Sequence, residues 1–293
     1  MAHLKESVNH PLGHESPRID DVPIFDIHPP RGWLELNLRD LWEYRDLLYI
    51  FIWRDVKVRY KQTAIGAAWA VIQPFLAMVV FSLFFGLLIK IPSDGLPYPV
   101  FAYVALLPWQ FFAKALTEGS TSLVVNERVI SKVYFPHLLV PTAVVLAGLI
   151  DFGVAFVILL LMMLVYGIVP TLAVLTIPLF LGLAVLTALG VSFWLSALDV
   201  TYRDVRYTLP FLTQIWMFAT PVVYPSSIVP AGWRALYGLN PMVGVIEGFR
   251  WALLNAPPPD PMMLSVSVIG VIVLFISGVV YFDRMESRLA DVI

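Results

Sequence analysis

The sequence predicts an all-α integral membrane protein with six transmembrane helices, an N-terminal amphipathic interface helix and a re-entrant helical hairpin before the last span. Three observations carry this expectation. Of 293 residues, 59% are hydrophobic and only 14% charged, against about 25% charged in an average soluble domain; the mean hydropathy is +0.80. Apolar runs of the roughly 20 residues needed to span a bilayer recur along the chain. The Lys and Arg residues between them collect on one side.

Composition also excludes. With no cysteine, disulfides, thiolate metal sites and a Cys nucleophile are ruled out together. A net charge of -2 gives no case for nucleic acid as a partner. Of the five histidines, only His137 lies beyond residue 28, so no metal site is expected. Residues 1–30 carry charges, Pro11, Pro17, Pro23, Pro29 and Pro30, and no apolar core of a signal peptide. They read as a flexible cytoplasmic arm.

Residues 31–62 form the interface region. Within it, Leu38, Leu41, Trp42, Leu48, Tyr49, Ile52, Trp53, Val56 and Tyr60 recur at helical spacing, with Asp40, Glu43, Asp46, Arg54 and Lys57 off that stripe. Such a helix suits the headgroup plane, with Trp42, Trp53, Arg54, Lys57, Arg59 and Tyr60 at the interface. A helix packed on its own bundle is the alternative.

The membrane domain covers 63–283. Span one (64–89) is free of charge, span two (about 100–122) carries Lys114 and Glu118, and span three (138–166) carries Asp151 alone. Spans four (about 171–198) and five (about 207–224) are uncharged, and span six is 262–282, followed by a cytoplasmic tail at 284–293. The segment 225–258 is broken by Pro225, Pro230, Gly232, Gly238, Pro241 and Gly244. It reads as two short helices, about 231–238 and 241–254, in a re-entrant hairpin; an interfacial loop is the alternative. With the N-terminus inside, the cytoplasmic segments hold thirteen Lys and Arg residues, and the opposite side only Lys90, Arg234 and Arg250. Both termini are therefore expected in the cytoplasm.

Between spans two and three, VVNERVISKVYFPH reads as a short helix with Asn126 as N-cap, Glu127 complementing the helix dipole and Pro136 as stop. It can dock into a soluble partner or serve only as a connector. Ionisable groups at membrane depth point to function. Lys114 and Glu118 can pair at i,i+4, or snorkel; Asp151 must face the bundle; Glu247 and Arg250 can pair at i,i+3. The many aromatics suit a pathway for sugars, whose C–H faces stack on rings, and equally suit interfacial anchoring. Trp69, Phe75, Phe84, Trp109, Trp216 and Tyr224 are the pathway candidates. No Gly-Lys dipeptide occurs, hence no phosphate loop, and neither HExxH nor GxSxG is present.

The segment WRDVKVRYKQTAIGAAWAVIQP (53–74) resembles the signature that opens the permease subunits of polysaccharide and teichoic-acid ABC exporters, the Wzm, KpsM and TagG group. The matching positions are Arg54, Asp55, Lys57, Arg59, Tyr60, Thr63, Gly66, Trp69 and Pro74. LLPWQFF (106–112), SKVYFPHLLVP (131–141), DVTYRDVRY (199–207), TPVVYP (220–225) and LNPMVGVIEGFRWALL (239–254) are similar too. The resemblance implies a non-enzymatic homodimer in the bacterial cytoplasmic membrane, bound to two ATPase subunits that hold ATP and Mg, with no cofactor in this chain. The cargo it implies is a lipid-linked glycan such as an O-antigen, capsule or teichoic-acid polymer. It also implies coupling contacts at Asn126, Glu127, Arg128, Lys132, Tyr134 and Phe135, with a second contact at Arg203 and Asp204. Two other readings stay open: an exporter of a drug or small lipid, and a membrane enzyme acting on lipid-linked sugars.

Overall fold

The computed structural model describes residues 42–61, 68–133 and 135–292. The N-terminal arm, residues 31–41 of the interface region, Thr63, Gly66 and Tyr134 lie outside them. Among the described residues every regular element is helical, and five helices are long and apolar enough to cross a membrane.

Helix α1 (Arg45–Lys61) precedes α2 (Ala68–Phe81), which runs on into a π-helical stretch, Ser82–Leu88. Helix α3 (Tyr98–Ser120) is followed by two single turns, α4 (Ser122–Val125) and α5 (Glu127–Ile130), and then by α6 (Leu139–Val165). A 3-10 turn (Leu172–Thr176) leads into α7 (Ile177–Thr201), and α8 spans Asp204–Phe218. The short α9 (Arg234–Tyr237) and α10 (Pro241–Leu254) precede the long α11 (Pro261–Val292). The tail expected at 284–293 is thus largely a continuation of the last helix.

Helix α3 is the centre: every residue from Val100 to Leu107 is buried, and α2, α6, α7 and α10 pack around it. Helix α2 is peripheral, with only Pro74 and Met78 buried. Helix α1 packs along α6, burying Phe51 and Val56 and leaving Trp42, Tyr49, Ile50 and Trp53 exposed. Phe51 meets Phe135 edge-on at a centroid distance of 5.4 Å. One face of α1 is therefore a bundle face.

Lipid tails are as apolar as leucine, so helices in a bilayer gain from close packing rather than from leaving water, and small residues permit it. At Gly190 of α7 an added Cβ would stand 2.9 Å from the Phe275 Cα and 3.0 Å from the Leu274 carbonyl carbon of α11. Gly278 of α11 faces the Gly190 backbone in return.

The sequence places span five at about 207–224; the helix found there starts at Asp204 and stops at Phe218, 15 residues in all. At 1.5 Å per residue it is about 22 Å long, short of a full span. Pro221 and Pro225 explain the early stop, because proline lacks an N–H and disfavours helix in the residue before it. Hydropathy does not register the break, since Val222 and Val223 are buried and apolar.

Helices α9 and α10 stand close to the two short helices expected from the sequence. Asn240 caps α10, its side-chain carbonyl accepting from the Met242 N–H at 3.1 Å, with Pro241 at the first helical position.

Gly190→Ala should lower the thermal unfolding midpoint in detergent by the equivalent of about 1–3 kcal/mol, the usual cost of overpacking. Gly182→Ala on the same helix, where no atom lies within 4 Å of the added carbon, should leave it unchanged or raise it slightly.

Candidate functional site

A cavity of about 1030 Å³ opens between α2, α3, α6 and α8. On α3 its wall runs from Leu107 to Glu118, about 16 Å at 1.5 Å per residue. Aromatic rings (Trp69, Trp109, Phe111 and Phe152) and side-chain amides line its body, and charges gather at one end.

The charged end is a closed electrostatic set. Asp151 of α6 accepts from Arg59 of α1 and from Lys114 of α3, each at 2.6 Å. Arg59 also donates to Glu118 at 2.5 Å, and Lys114 stands 3.8 Å from Glu118. The Tyr60 hydroxyl donates to the other Asp151 oxygen. Burial raises the Tyr60 pKa well above its ordinary value, and the bond to the carboxylate adds to this; the phenol stays a donor at any physiological pH. Two cations thus face two carboxylates, and three elements are tied at one point.

The sequence places Arg59 and Tyr60 at the headgroup interface; here they turn inward to Asp151. Asp151, deep in α6, requires compensation, and the last turn of α1 supplies it. The sequence signal was the mid-span carboxylate itself, but its partner lies 92 residues away. Other α1 cations stay local: Arg54 pairs with Asp55 at 2.8 Å, and Lys57 lies 5.2 Å from the Trp53 ring centre.

Of the pathway candidates, Trp69 and Trp109 line the cavity. Phe75 is exposed on α2 and Phe84 on the π-helical stretch that follows it. The Trp216 indole donates to Asn240 at 3.0 Å, and the Tyr224 hydroxyl accepts from Tyr237 and donates to the Phe218 carbonyl, both at 3.0 Å. Those two rings hold the chain between α8 and α10. Arg250, 2% exposed, pairs with Glu247 at 3.0 Å and donates to the carbonyls of Val222 and Tyr224 at 3.0 and 3.3 Å. It therefore occupies carbonyls of the unwound segment that follows α8, and lies 3.7 Å from the Phe101 ring centre.

The loop between α3 and α6 differs from expectation in two ways. Asn126 does not cap α5; its amide donates back to the Ser122 carbonyl at 2.8 Å, because the preceding turn is already helical. Phe135 is buried, 2% exposed, between Phe51 and His137, so it anchors the loop to α1. Glu127, Arg128 and Lys132 are exposed, together with Val125 and Val133. Arg203 and Asp204 are exposed as well, whereas Arg206, not singled out in the sequence, forms a bidentate pair with the fully buried Asp199 at 3.1 Å.

An all-helical multi-pass membrane body with a large polar-ended cavity is the architecture of a membrane transport subunit. Residues 46–254 match the ABC-2 type transporter family, and the chain belongs to it. Among curated proteins it is similar to the O-antigen export system permease protein RfbA of Myxococcus xanthus, 31% identical over 255 residues that cover 85% of this chain and 96% of that protein. The protein of the same name from Klebsiella pneumoniae is 28% identical over 249 residues, covering 85% and 95%. The polysialic acid transport protein KpsM of Escherichia coli is 21% identical over 242 residues, covering 81% and 93%.

Asp151→Ala leaves two cations facing one carboxylate and should cost about 3–5 kcal/mol, the range for breaking a buried pair. Glu118→Ala removes a side chain 40% exposed and should cost about 1 kcal/mol. Chemical denaturation of the purified chain in detergent separates the two; equal losses would contradict the central place given to Asp151.

Proposed function

We propose that this chain is the transmembrane subunit of an ABC exporter that carries a lipid-linked polysaccharide across the bacterial cytoplasmic membrane, with hydrolysis of ATP on separate subunits. The observation that carries this is similarity along more than four-fifths of the chain to permeases named for O-antigen export and polysialic acid transport. The aromatic cavity supports it, since sugar rings stack their C–H faces on such walls.

A six-crossing path fits the contacts. The Tyr98 hydroxyl donates to the Val223 carbonyl at 2.8 Å and Ser227 to Asp94 at 3.0 Å, so the segment after α8 reaches the same end of the bundle as the loop before α3. Helix α8 and this extended segment together make the fifth crossing. The chain then turns back: Asn240 meets Trp216 within the bundle, and Asn255, after α10, donates to Val169 at 2.9 Å beside the loop between α6 and α7. That descent and return is a re-entrant hairpin, its irregular backbone covered by protein as membrane depth requires. Six crossings put both termini in the cytoplasm. The exposed Trp42, just before α1, and Trp53 within it then lie at the headgroups while the end of α1 is held in the bundle.

A second copy of the chain completes the conduit. Tyr207, Phe211, Ile215 and Phe218 form an exposed apolar stripe along α8, and both α8 and the peripheral α2 border the cavity. The exposed Glu127, Arg128 and Lys132, with Arg203 and Asp204, form the face for the ATPase.

Replacing Glu127 and Arg128 together by alanine should cut surface polysaccharide at least ten-fold in the producing cell, while the chain still co-purifies with its ATPase. Undiminished export by an intact assembly would remove this face from the coupling path.

A further inference from the structure

The chain contains four glutamines, and three of them, Gln73 on α2, Gln110 on α3 and Gln214 on α8, line the same cavity; Gln62 lies outside the described residues. Each stands in a segment otherwise rich in apolar side chains. The two threonines on these walls have local partners: Thr117 donates to the Ala113 carbonyl at 2.8 Å and Thr213 to the Leu209 carbonyl at 2.7 Å. Among the described residues the three amides have no hydrogen-bond partner. A carboxamide offers two donors and two acceptor sites; Gln73 and Gln214 are exposed and Gln110 is half-buried, so all three present these groups to the cavity space. Three unpartnered amides from three helices, converging on one cavity beside the exposed Trp69, make a recognition surface rather than a fold contact.

The kind of ligand follows from what else the cavity holds. Its two cations are both engaged: Arg59 by Glu118 at 2.5 Å and Asp151 at 2.6 Å, and Lys114 by Asp151 at 2.6 Å. The charged end is internally neutral, so it offers no free positive charge to a phosphate or an acidic sugar. Hydroxyl groups, which both donate and accept, match the amides, and a pyranose face matches the Trp69 ring. We propose that Gln73, Gln110 and Gln214 form a subsite for an uncharged, hydroxyl-rich segment of the exported glycan. This rests on the polysaccharide-export reading and narrows it to the neutral sugar portion of the cargo.

The test uses the complex of the full chain with its ATPase in lipid nanodiscs, and as probe the lipid-linked polymer extracted from cells in which this gene is deleted. If deletion causes no such polymer to accumulate, the export reading itself fails. Given accumulation, the readout is the polymer concentration that gives half-maximal stimulation of ATP hydrolysis. Gln73→Leu and Gln214→Leu should each raise it about 3- to 10-fold, the range expected for a hydrogen bond between neutral groups. Gln→Asn at either position should raise it less, and Val165→Leu, 83% exposed at the end of α6, should not. Unchanged half-maximal concentrations in both leucine variants, with polymer stimulation intact, would overturn the subsite while leaving the export reading standing. Methylation analysis of the extracted polymer should find uncharged glycosyl units; a polymer made wholly of acidic sugars would overturn the proposal as well.

Discussion

Compensating Asp151 is the constraint around which this molecule is arranged. A carboxylate well inside a spanning helix is tolerated only when paired, and here it draws in Lys114 from α3 and both Arg59 and Tyr60 from α1. The pairing joins a helix that precedes the first span to the centre of the bundle. It also leaves the end of the cavity polar without leaving it charged. An ion set of this kind adds little to stability beyond what a well-packed apolar substitute would give; its larger effect is to fix where α1 ends and so where the cavity closes.

Arg250 solves a related problem at the other end. Where α8 stops early, backbone carbonyls face the protein interior with no helical partner. The guanidinium, anchored by Glu247, accepts the task of donor to two of them. A short helix followed by an unwound segment can then stand where hydropathy suggests one longer span. The result is a bundle whose compact half, α3, α6, α7, α10 and α11, is packed through Gly190 and Gly278, while α2 stays at the rim of the cavity.

Much of this was legible in the sequence because the bilayer makes length and charge decisive. Runs free of charge marked α2 and α7, and Pro and Gly marked the short helices α9 and α10 to within a few residues. What escaped depends on contacts distant in sequence. Arg59 sits on a stripe that looks suited to headgroups, and nothing local reveals that its carboxylate is 92 positions away. Phe135 belongs to a loop that appears exposed until Phe51 is placed against it. Hydropathy ran on to Tyr224 because it counts apolar side chains and not carbonyls taken by Arg250. The glutamines could have been noticed: amides are rare in apolar spans, and theirs was a signal of polarity without charge.

The account's core is that this chain provides the route and another subunit the energy. Its most direct test is reconstitution into proteoliposomes loaded on the outside with fluorescently labelled lipid-linked polymer. With the ATPase partner present, ATP added to that same face should move label into the lumen, where an external glycosidase cannot reach it. The chain alone should move none at any ATP concentration. ATP-driven movement by the chain without its partner, or none by the complete assembly, would contradict the account.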